Sequence, residues 1–254
     1  MKELYDFPDI YDERWTDGAE NAYRMHYEKM LAGTNITDIL DCSAGTGNLT
    51  FGLSDLGYTL TLSDISTSML EKAKEKAAQR GIACTCTPCD FRELSQRFDR
   101  QFSCVMSTGN ALAHVNNDDV RKTLTEMDKL VRPGGYLYID SRNWDKELQN
   151  KERFHHFARP FVRADGVRIH CVQFWDHHED GSITIHILNG YEKDGNIIQE
   201  STWAEHLNPF SIELVLDQLN TLGYDTPVIK SCPYFEEKDF MDIGWYCLLA
   251  KKKS

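Results

Sequence analysis

Residues 38–47 read Asp-Ile-Leu-Asp-Cys-Ser-Ala-Gly-Thr-Gly, and seventeen residues after Gly47 a second hydrophobic run ends in Asp64. Glycines at such a turn let a ligand approach the backbone closely, because no Cβ intervenes. A carboxylate at the end of the next strand can accept hydrogen bonds from both hydroxyls of a ribose. Together these residues describe a pocket for an adenosine-containing cofactor at the carboxyl end of a parallel sheet. A dinucleotide loop would carry a third glycine for tight helix–strand packing, with a pyrophosphate on the helix N-terminus. Here that position is Thr50, and Asp41 stands at the strand end. The acid would repel a pyrophosphate and could engage a cationic amino group, so an ammonium or sulfonium ligand fits better than a phosphate. A Gly-x-Gly pair also occurs in strand–helix turns that bind nothing, so the loop alone leaves both readings open.

Composition narrows the partners. The chain has 254 residues, room for one large α/β domain or a domain with a sizeable insertion. A net charge of −12 argues against a nucleic-acid backbone. The Lys251-Lys252-Lys253 run reads as a solvated tail. No apolar stretch reaches the roughly 18 residues of a membrane span, and the first residues lack a signal peptide's apolar region. The expectation is a cytoplasmic protein acting on a small molecule, with no nucleic acid or membrane partner, and either a monomer or a homodimer. Eight cysteines stand at 42, 84, 86, 89, 104, 171, 232 and 247. Cys86 and Cys89 have redox-motif spacing, and Cys84 adds a third sulfur, but a redox pair normally opens a helix and zinc wants a fourth ligand. The expected state is structural and metal-free.

The elements that must position these residues follow from periodicity. Residues 1–34 look helical and aromatic-rich, a candidate N-terminal lid. Strands are expected at 36–42, 58–63, 82–87, 102–107 and 136–140. Helices are expected at 48–56, 66–80 and 118–130, with Ser66 a plausible N-cap and Gly81 a stop. Such alternation argues for a parallel sheet covered on both faces. Beyond 141 the pattern changes to three strands, 167–176, 182–192 and 196–205, joined at Glu179-Asp180-Gly181 and Lys193-Asp194-Gly195. A helix at 209–222 and strands at 227–231 and 244–251 close the chain. The fold class is α/β: a Rossmann-like, seven-stranded, mostly parallel sheet with helices on both faces. Residues 35–254 form the main domain, and 141–205 are an antiparallel insertion before the last helix and strands, on the substrate side.

Four separated motifs carry a resemblance. They are Leu40-Asp41-Cys42-Ser43-Ala44-Gly45-Thr46-Gly47, Leu62-Ser63-Asp64-Ile65-Ser66 with Met69 following, Cys89-Asp90-Phe91, and Leu130-Val131-Arg132-Pro133-Gly134-Gly135. In this order and spacing they resemble the class I S-adenosylmethionine-dependent methyltransferases, across residues 36–140. A narrower resemblance lies in Gly109-Asn110-Ala111-Leu112-Ala113-His114 and Ile139-Asp140-Ser141-Arg142-Asn143-Trp144-Asp145. Both segments look like the glycine N-methyltransferases and their small-amine relatives, with Ala111 in place of that family's serine and Trp144 in place of its tyrosine.

The resemblance implies S-adenosyl-L-methionine as cofactor and assigns roles. Asp41, Ser43, Ala44, Gly45 and Gly47 would hold the methionine moiety. Asp64 would take the ribose hydroxyls, Asp90 the adenine amino group and the Phe91 amide a ring nitrogen. Ile65 and Met69 would cover adenine, although a Met at helical spacing also reads as core. Tyr11 or Tyr23 would replace the family's N-terminal arginine on the cofactor carboxylate. Thr108 would sit where the methyl group meets substrate. His114 reads as pocket wall, base or structural histidine. Asn143 would orient the acceptor, helped by Trp15 and Asn110. Arg142 would hold a carboxylate or form a surface ion pair, and Arg168 is a second carboxylate partner. Methyl transfer from a sulfonium to a neutral amine needs alignment and desolvation more than a base. Three other readings stand beside N-methyl transfer to a small amine. One is O-methyl transfer with His114 as base, one an NAD-dependent oxidoreductase, which Thr50 disfavours, and one a cofactor-binding regulatory protein without turnover.

Overall fold

The computed structural model describes residues 4–236 and 238–254. The first three residues of the expected lid lie outside them. A 3-10 turn at Leu4–Asp6 leads into α1 (Pro8–Asp12) and α2 (Asp17–Met30). The alternation then runs β1 (Asp38–Asp41), α3 (Gly52–Asp55), β2 (Thr59–Asp64), α4 (Thr67–Arg80), β3 (Cys84–Pro88), α5 (Leu94–Arg97), β4 (Phe102–Ser107), α6 (Asn117–Leu130) and β5 (Val131–Arg142). The insertion holds α7 (Trp144–Asn150), β6 (Phe154–His156), β7 (Phe161–Val162), β8 (Arg168–His177), β9 (Ile183–Lys193) and β10 (Asn196–Leu207). The chain closes with α8 (Ile212–Thr221), β11 (Val228–Ser231) and β12 (Trp245–Lys251).

Seven strands form the main sheet in the order β11-β12-β5-β4-β1-β2-β3. The five from β3 to β5 are parallel, and β12 runs antiparallel to both its neighbours. This is the expected mostly parallel sheet. The crossover between β1 and β4 puts the carboxyl ends of both strands at one edge, where the chain must part to opposite faces and a crevice opens. One apolar cluster, with Val105, Leu124, Leu137, Ile139 and Val215, fills one face. A second, with Ile39, Leu62, Leu70, Tyr27 and Tyr138, fills the other. The first cluster continues into the inserted sheet through Trp175 and Ile185, so the insertion shares the domain's core.

Local chemistry explains the boundaries. Ser66 caps α4 by accepting from the Met69 amide, and Gly81 ends it in a left-handed conformation at φ 67°. Asn116 and Ser211 cap α6 and α8 in the same way. Two expectations need correction. The helix expected at 48–56 is only Gly52–Asp55, because the preceding turns close on the Ala44 and Gly47 carbonyls. The strand expected at 136–140 runs from Val131 to Arg142, its second half paired with β12. Among the described residues no helix is long and apolar enough to cross a membrane.

Candidate active site

A cavity of about 640 Å³ opens at the carboxyl ends of β1, β2 and β4. The loop after β1, the start of α4, the Asp90–Arg92 turn and the segment from Thr108 to Val115 form its wall, and Tyr5 and Tyr11 join from the N-terminal segment. Asp64 lies on this wall at the end of β2. Its Oδ2 accepts from the Gly45 amide at 2.8 Å and its Oδ1 from the Ser66 amide at 2.9 Å. The carboxylate keeps acceptor capacity beyond these two amides. Burial pushes the Asp64 carboxyl up, while the Ser66, Gly45 and Ile65 amides pull it down. Ile65 is 71% exposed beside it, Met69 is buried beneath, and Phe91 stands on the same wall. An exposed isoleucine facing a cavity is an unfilled apolar surface of the kind a planar base covers. Ser43, Ala44, Gly45 and Thr108 also line the cavity.

Asp41 does not face it. The residue is fully buried, and its carboxylate accepts from the Thr50 hydroxyl, the Thr108 hydroxyl at 2.9 Å and the Ser43 amide at 3.1 Å. Burial pushes its carboxyl up to about 6 against those three bonds. Asp41 therefore pins the loop to β4 rather than offering an oxygen to a ligand, and Thr50 is its partner. Gly47 is corrected likewise. It lies off the wall, and a Cβ there would come within 2.4 Å of the Phe51 ring at φ 81°. The glycine is required by packing. Asp90 lines the cavity, but both its oxygens bond Arg92, whose Nε lies at 3.0 and 3.1 Å and Nη2 at 2.6 Å. The Arg92 side chain and amide hold the Asp90 carboxyl below its ordinary value, against the opposing effect of burial.

The N-terminal segment divides. Tyr5 and Tyr11 reach the cavity, and the Tyr5 carbonyl accepts from the Ser66 and Ser68 hydroxyls at 3.4 and 3.3 Å. Tyr23 and Trp15 lie off the wall, their rings tilted by 38° with centroids 5.8 Å apart. In the same segment Asp12 accepts from the Thr46 hydroxyl at 2.6 Å, the Asn48 amide at 2.8 Å and the Lys76 ammonium at 2.8 Å. Neither Tyr5 nor Asp12 stood out in the sequence, since nothing local marks a residue whose partners lie 34 to 109 positions away.

Beyond β4 His114 lines the cavity, its Nε2 3.0 Å from the Tyr5 hydroxyl. Burial pulls its imidazolium down to about 4, so the ring is neutral near pH 7. Asn143 is a correction. It is fully buried, its Nδ2 donating to the Phe240 and Ile243 carbonyls at 2.7 and 3.1 Å and its Oδ1 accepting from the Lys146 amide at 3.2 Å. It caps α7 and clamps the 240–243 turn, with both its N–H groups spent and its side chain off the cavity wall. The Asn110 Oδ1 is similarly engaged, accepting from the Ser141 hydroxyl, the Arg142 amide and the Trp144 indole. Arg168 pairs with Glu192 at 3.6 Å at the outer face of the insertion, away from the cavity.

Arg142 also lies off the cavity wall, but its surroundings differ. Its guanidinium carbon lies 4.7 Å from the Trp175 ring, 5.5 Å from Trp245 and 5.8 Å from Trp144. Its nearest acid, Glu147, is 3.8 Å away, and its buried Nε makes no hydrogen bond among the described residues. Burial lowers its affinity for the proton, and Glu147 and then Glu205 oppose that. A caged cation with an unused donor suits a carboxylate.

The methyltransferase-domain family model matches residues 39–135. A glycine/sarcosine N-methyltransferase of Halorhodospira halochloris is 30% identical over 182 residues, 69% of this chain and 66% of that protein. One from Aphanothece halophytica is 32% identical over 108 residues, 42% of this chain and 41% of that protein. The chain thus spans less than two thirds of the length of these curated relatives. A solved S-adenosylmethionine-dependent methyltransferase from Clostridium acetobutylicum superimposes with a TM-score of 0.77 at 18% identity, covering 99% of both chains. A solved amino pentose methyltransferase from Micromonospora echinaspora, with S-adenosylmethionine bound, gives 0.73 at 14% identity over 100% of this chain and 98% of that one. At these identities the likeness is one of fold.

Proposed function

We propose that this chain, which belongs to the class I S-adenosylmethionine-dependent methyltransferases, transfers a methyl group from S-adenosylmethionine to a small polar amine that also bears a carboxylate. One observation carries the reading: Asp64, held by loop amides, stands in the cavity wall next to the uncovered Ile65, in the wall that ends at His114. The residues fit the cofactor. Asp64 suits the ribose hydroxyls, Ile65, Met69 and Phe91 suit adenine, and the Ser43–Gly45 backbone suits the methionine moiety. The cofactor, when bound, supplies an activated methyl group on a sulfonium.

What remains for the protein is alignment and exclusion of water. Thr108 and His114 mark the end of the cavity where β4 delivers the acceptor side, and Tyr5 and Tyr11 cover it. His114 favours nitrogen over oxygen as nucleophile. An imidazole whose conjugate acid sits at about 4 is a poor acceptor for a hydroxyl proton, whereas an amine can shed its proton to solvent before it binds. Arg142 supplies the carboxylate partner. The relatives named as acting on glycine and sarcosine support an acceptor of this size and charge. The test is transfer from methyl-labelled S-adenosylmethionine to glycine, sarcosine, 2-aminoethanol, glycolate and phenol, with product masses measured. N-methylated products are expected. Products methylated only on oxygen would overturn the amine, and failure to bind S-adenosylmethionine would overturn the whole reading.

A further inference from the structure

The cavity lies over the end of β1, with β2 on one side and β4 on the other, as the strand order dictates. One residue spans it. On the β2 side, where the chain enters α4, the Tyr5 carbonyl accepts from the Ser66 and Ser68 hydroxyls at 3.4 and 3.3 Å. On the β4 side, the Tyr5 hydroxyl lies 3.0 Å from the Nε2 of His114, which ends the 3-10 turn Ala111–His114. Ser66, Ser68 and His114 line the cavity, as Tyr5 does. The Tyr5 and His114 rings meet edge to face, at 86° with centroids 5.3 Å apart, a geometry that aromatic pairs prefer.

The neighbours of Tyr5 in sequence are tied elsewhere. Asp9 and Asp12 pair with Lys72 and Lys76 of α4, and the Phe7 ring is 5.2 Å from Trp203 on the inserted sheet. The Tyr5 side chain is what carries the segment across to the turn after β4. Its bond to His114 joins two neutral groups near pH 7. Burial raises the Tyr5 phenol well above its ordinary value and pulls the His114 imidazolium down to about 4. A neutral hydrogen bond of this kind is weak enough to break in every turnover, yet it closes the crevice against water while it stands.

We propose that the Tyr5–His114 contact is a latch across the cavity, and that it sets the rate at which S-adenosylmethionine enters and S-adenosylhomocysteine leaves. The proposal rests on the methyl-transfer reading above and adds the control of exchange to it. The bond must break whenever the segment lifts, with ligand bound or not, so it slows entry and exit alike. The latch thus governs exchange rates and leaves affinity to the residues that hold the cofactor, Asp64 first among them. It also gives the sulfonium a longer stay in a closed site, where an acceptor can be aligned before water reaches it.

The experiment measures association and dissociation rates of S-adenosylmethionine and S-adenosylhomocysteine by stopped-flow fluorescence. The proteins are full-length wild type, Tyr5→Phe, His114→Phe and the double variant, with thermal scans to check folding. Phenylalanine keeps each ring and removes the hydrogen bond. Losing one neutral hydrogen bond predicts that both rates rise by about 3- to 10-fold in either single variant, with Kd within about twofold of wild type. The double variant should be no faster than the single ones, because each removes the same bond. Unchanged rates in Tyr5→Phe would overturn the latch. So would faster dissociation with unchanged association, which would place Tyr5 on the ligand itself, and so would single effects that multiply in the double variant. All three outcomes leave the methyl-transfer reading standing. Wild type that binds neither ligand would overturn that reading and the latch with it.

Discussion

Asn143 is the residue at which chain pattern and three-dimensional position disagree most, and its replacement separates the two. In Asn143→Ala the α7 cap is lost, worth about 1 kcal/mol. The Phe240 and Ile243 carbonyls each lose a donor, at about 1 kcal/mol or somewhat more apiece because the site is closed to water. The sum is about 3–4 kcal/mol. At roughly 2–4 °C per kcal/mol for a chain of this size, Tm should fall by about 6–16 °C. Differential scanning calorimetry of both proteins, with S-adenosylmethionine absent and present, measures it. Turnover assayed well below the transition should stay near wild type, since the side chain is fully buried on backbone groups and lies off the cavity wall. An unchanged Tm with turnover abolished would refute this reasoning and return Asn143 to the acceptor.

Other expectations are checked more briefly. Asp64→Ala should weaken S-adenosylmethionine binding by more than about 100-fold by calorimetry, through two lost charge-assisted bonds and the loosened Gly45 amide; equal affinity would remove Asp64 from the ribose. Burial raises the Asp140 carboxyl to about 7, against the bonds from Trp245 and Gly109, and leaves its Oδ2 without a partner among the described residues. The folded state therefore holds a proton that the unfolded chain releases near pH 4, so this group's contribution falls as pH rises from about 4 to 7 and is flat above. Asp140→Asn should accordingly raise Tm at pH 8 and change it little at pH 4; the reverse order in thermal scans would contradict it. Removing residues 1–20 should abolish transfer while the rest stays folded by circular dichroism, and full activity would count against a lid. Elemental analysis of protein purified without added metal should find no stoichiometric zinc at Cys84, Cys86 and Cys89.

The fold was legible because its signals are local. Ser66 and Gly81 bracket α4 within one run of sequence, Asp64 follows its strand, and the β9–β10 hairpin sits on Lys193-Asp194-Gly195. The meeting of glycine loop and acid on one cavity wall was legible for the same reason, since they are neighbours in sequence. The misassigned polar residues have the right types, but their partners are elsewhere. Asp41 meets Thr108 at a separation of 67 residues, and Asn143 meets the 240–243 turn at 97 and 100. A buried polar side chain spends its valences on whatever donor the fold delivers, and a single sequence does not say which. Asp90 shows the short-range version, since Arg92 is two residues away and takes both its oxygens. Helix α7 and strands β6 and β7 were missed because they are short and lack periodicity.

The N-terminal segment has no place in the strand–helix alternation, yet two adjacent side chains give it a definite one. Asp12 bonds the loop after β1 through Thr46 and Asn48, and α4 through Lys76. Glu13, next in sequence, accepts from Arg163 and from the Tyr191 hydroxyl, both at 2.8 Å, on the inserted sheet. One helix end thus ties the loop after β1 to the inserted sheet. Exposed ion pairs contribute little, but these are part-buried, and the Asp12 cluster is a network of three donors on one carboxylate. Opening the segment would have to break both ends together, which makes access to the cavity a concerted event rather than the fraying of a tail. It also means that the glycine loop and the inserted sheet are held in fixed relation by the seated segment. A fixed relation of this kind is what the proposed in-line transfer requires of the walls around it.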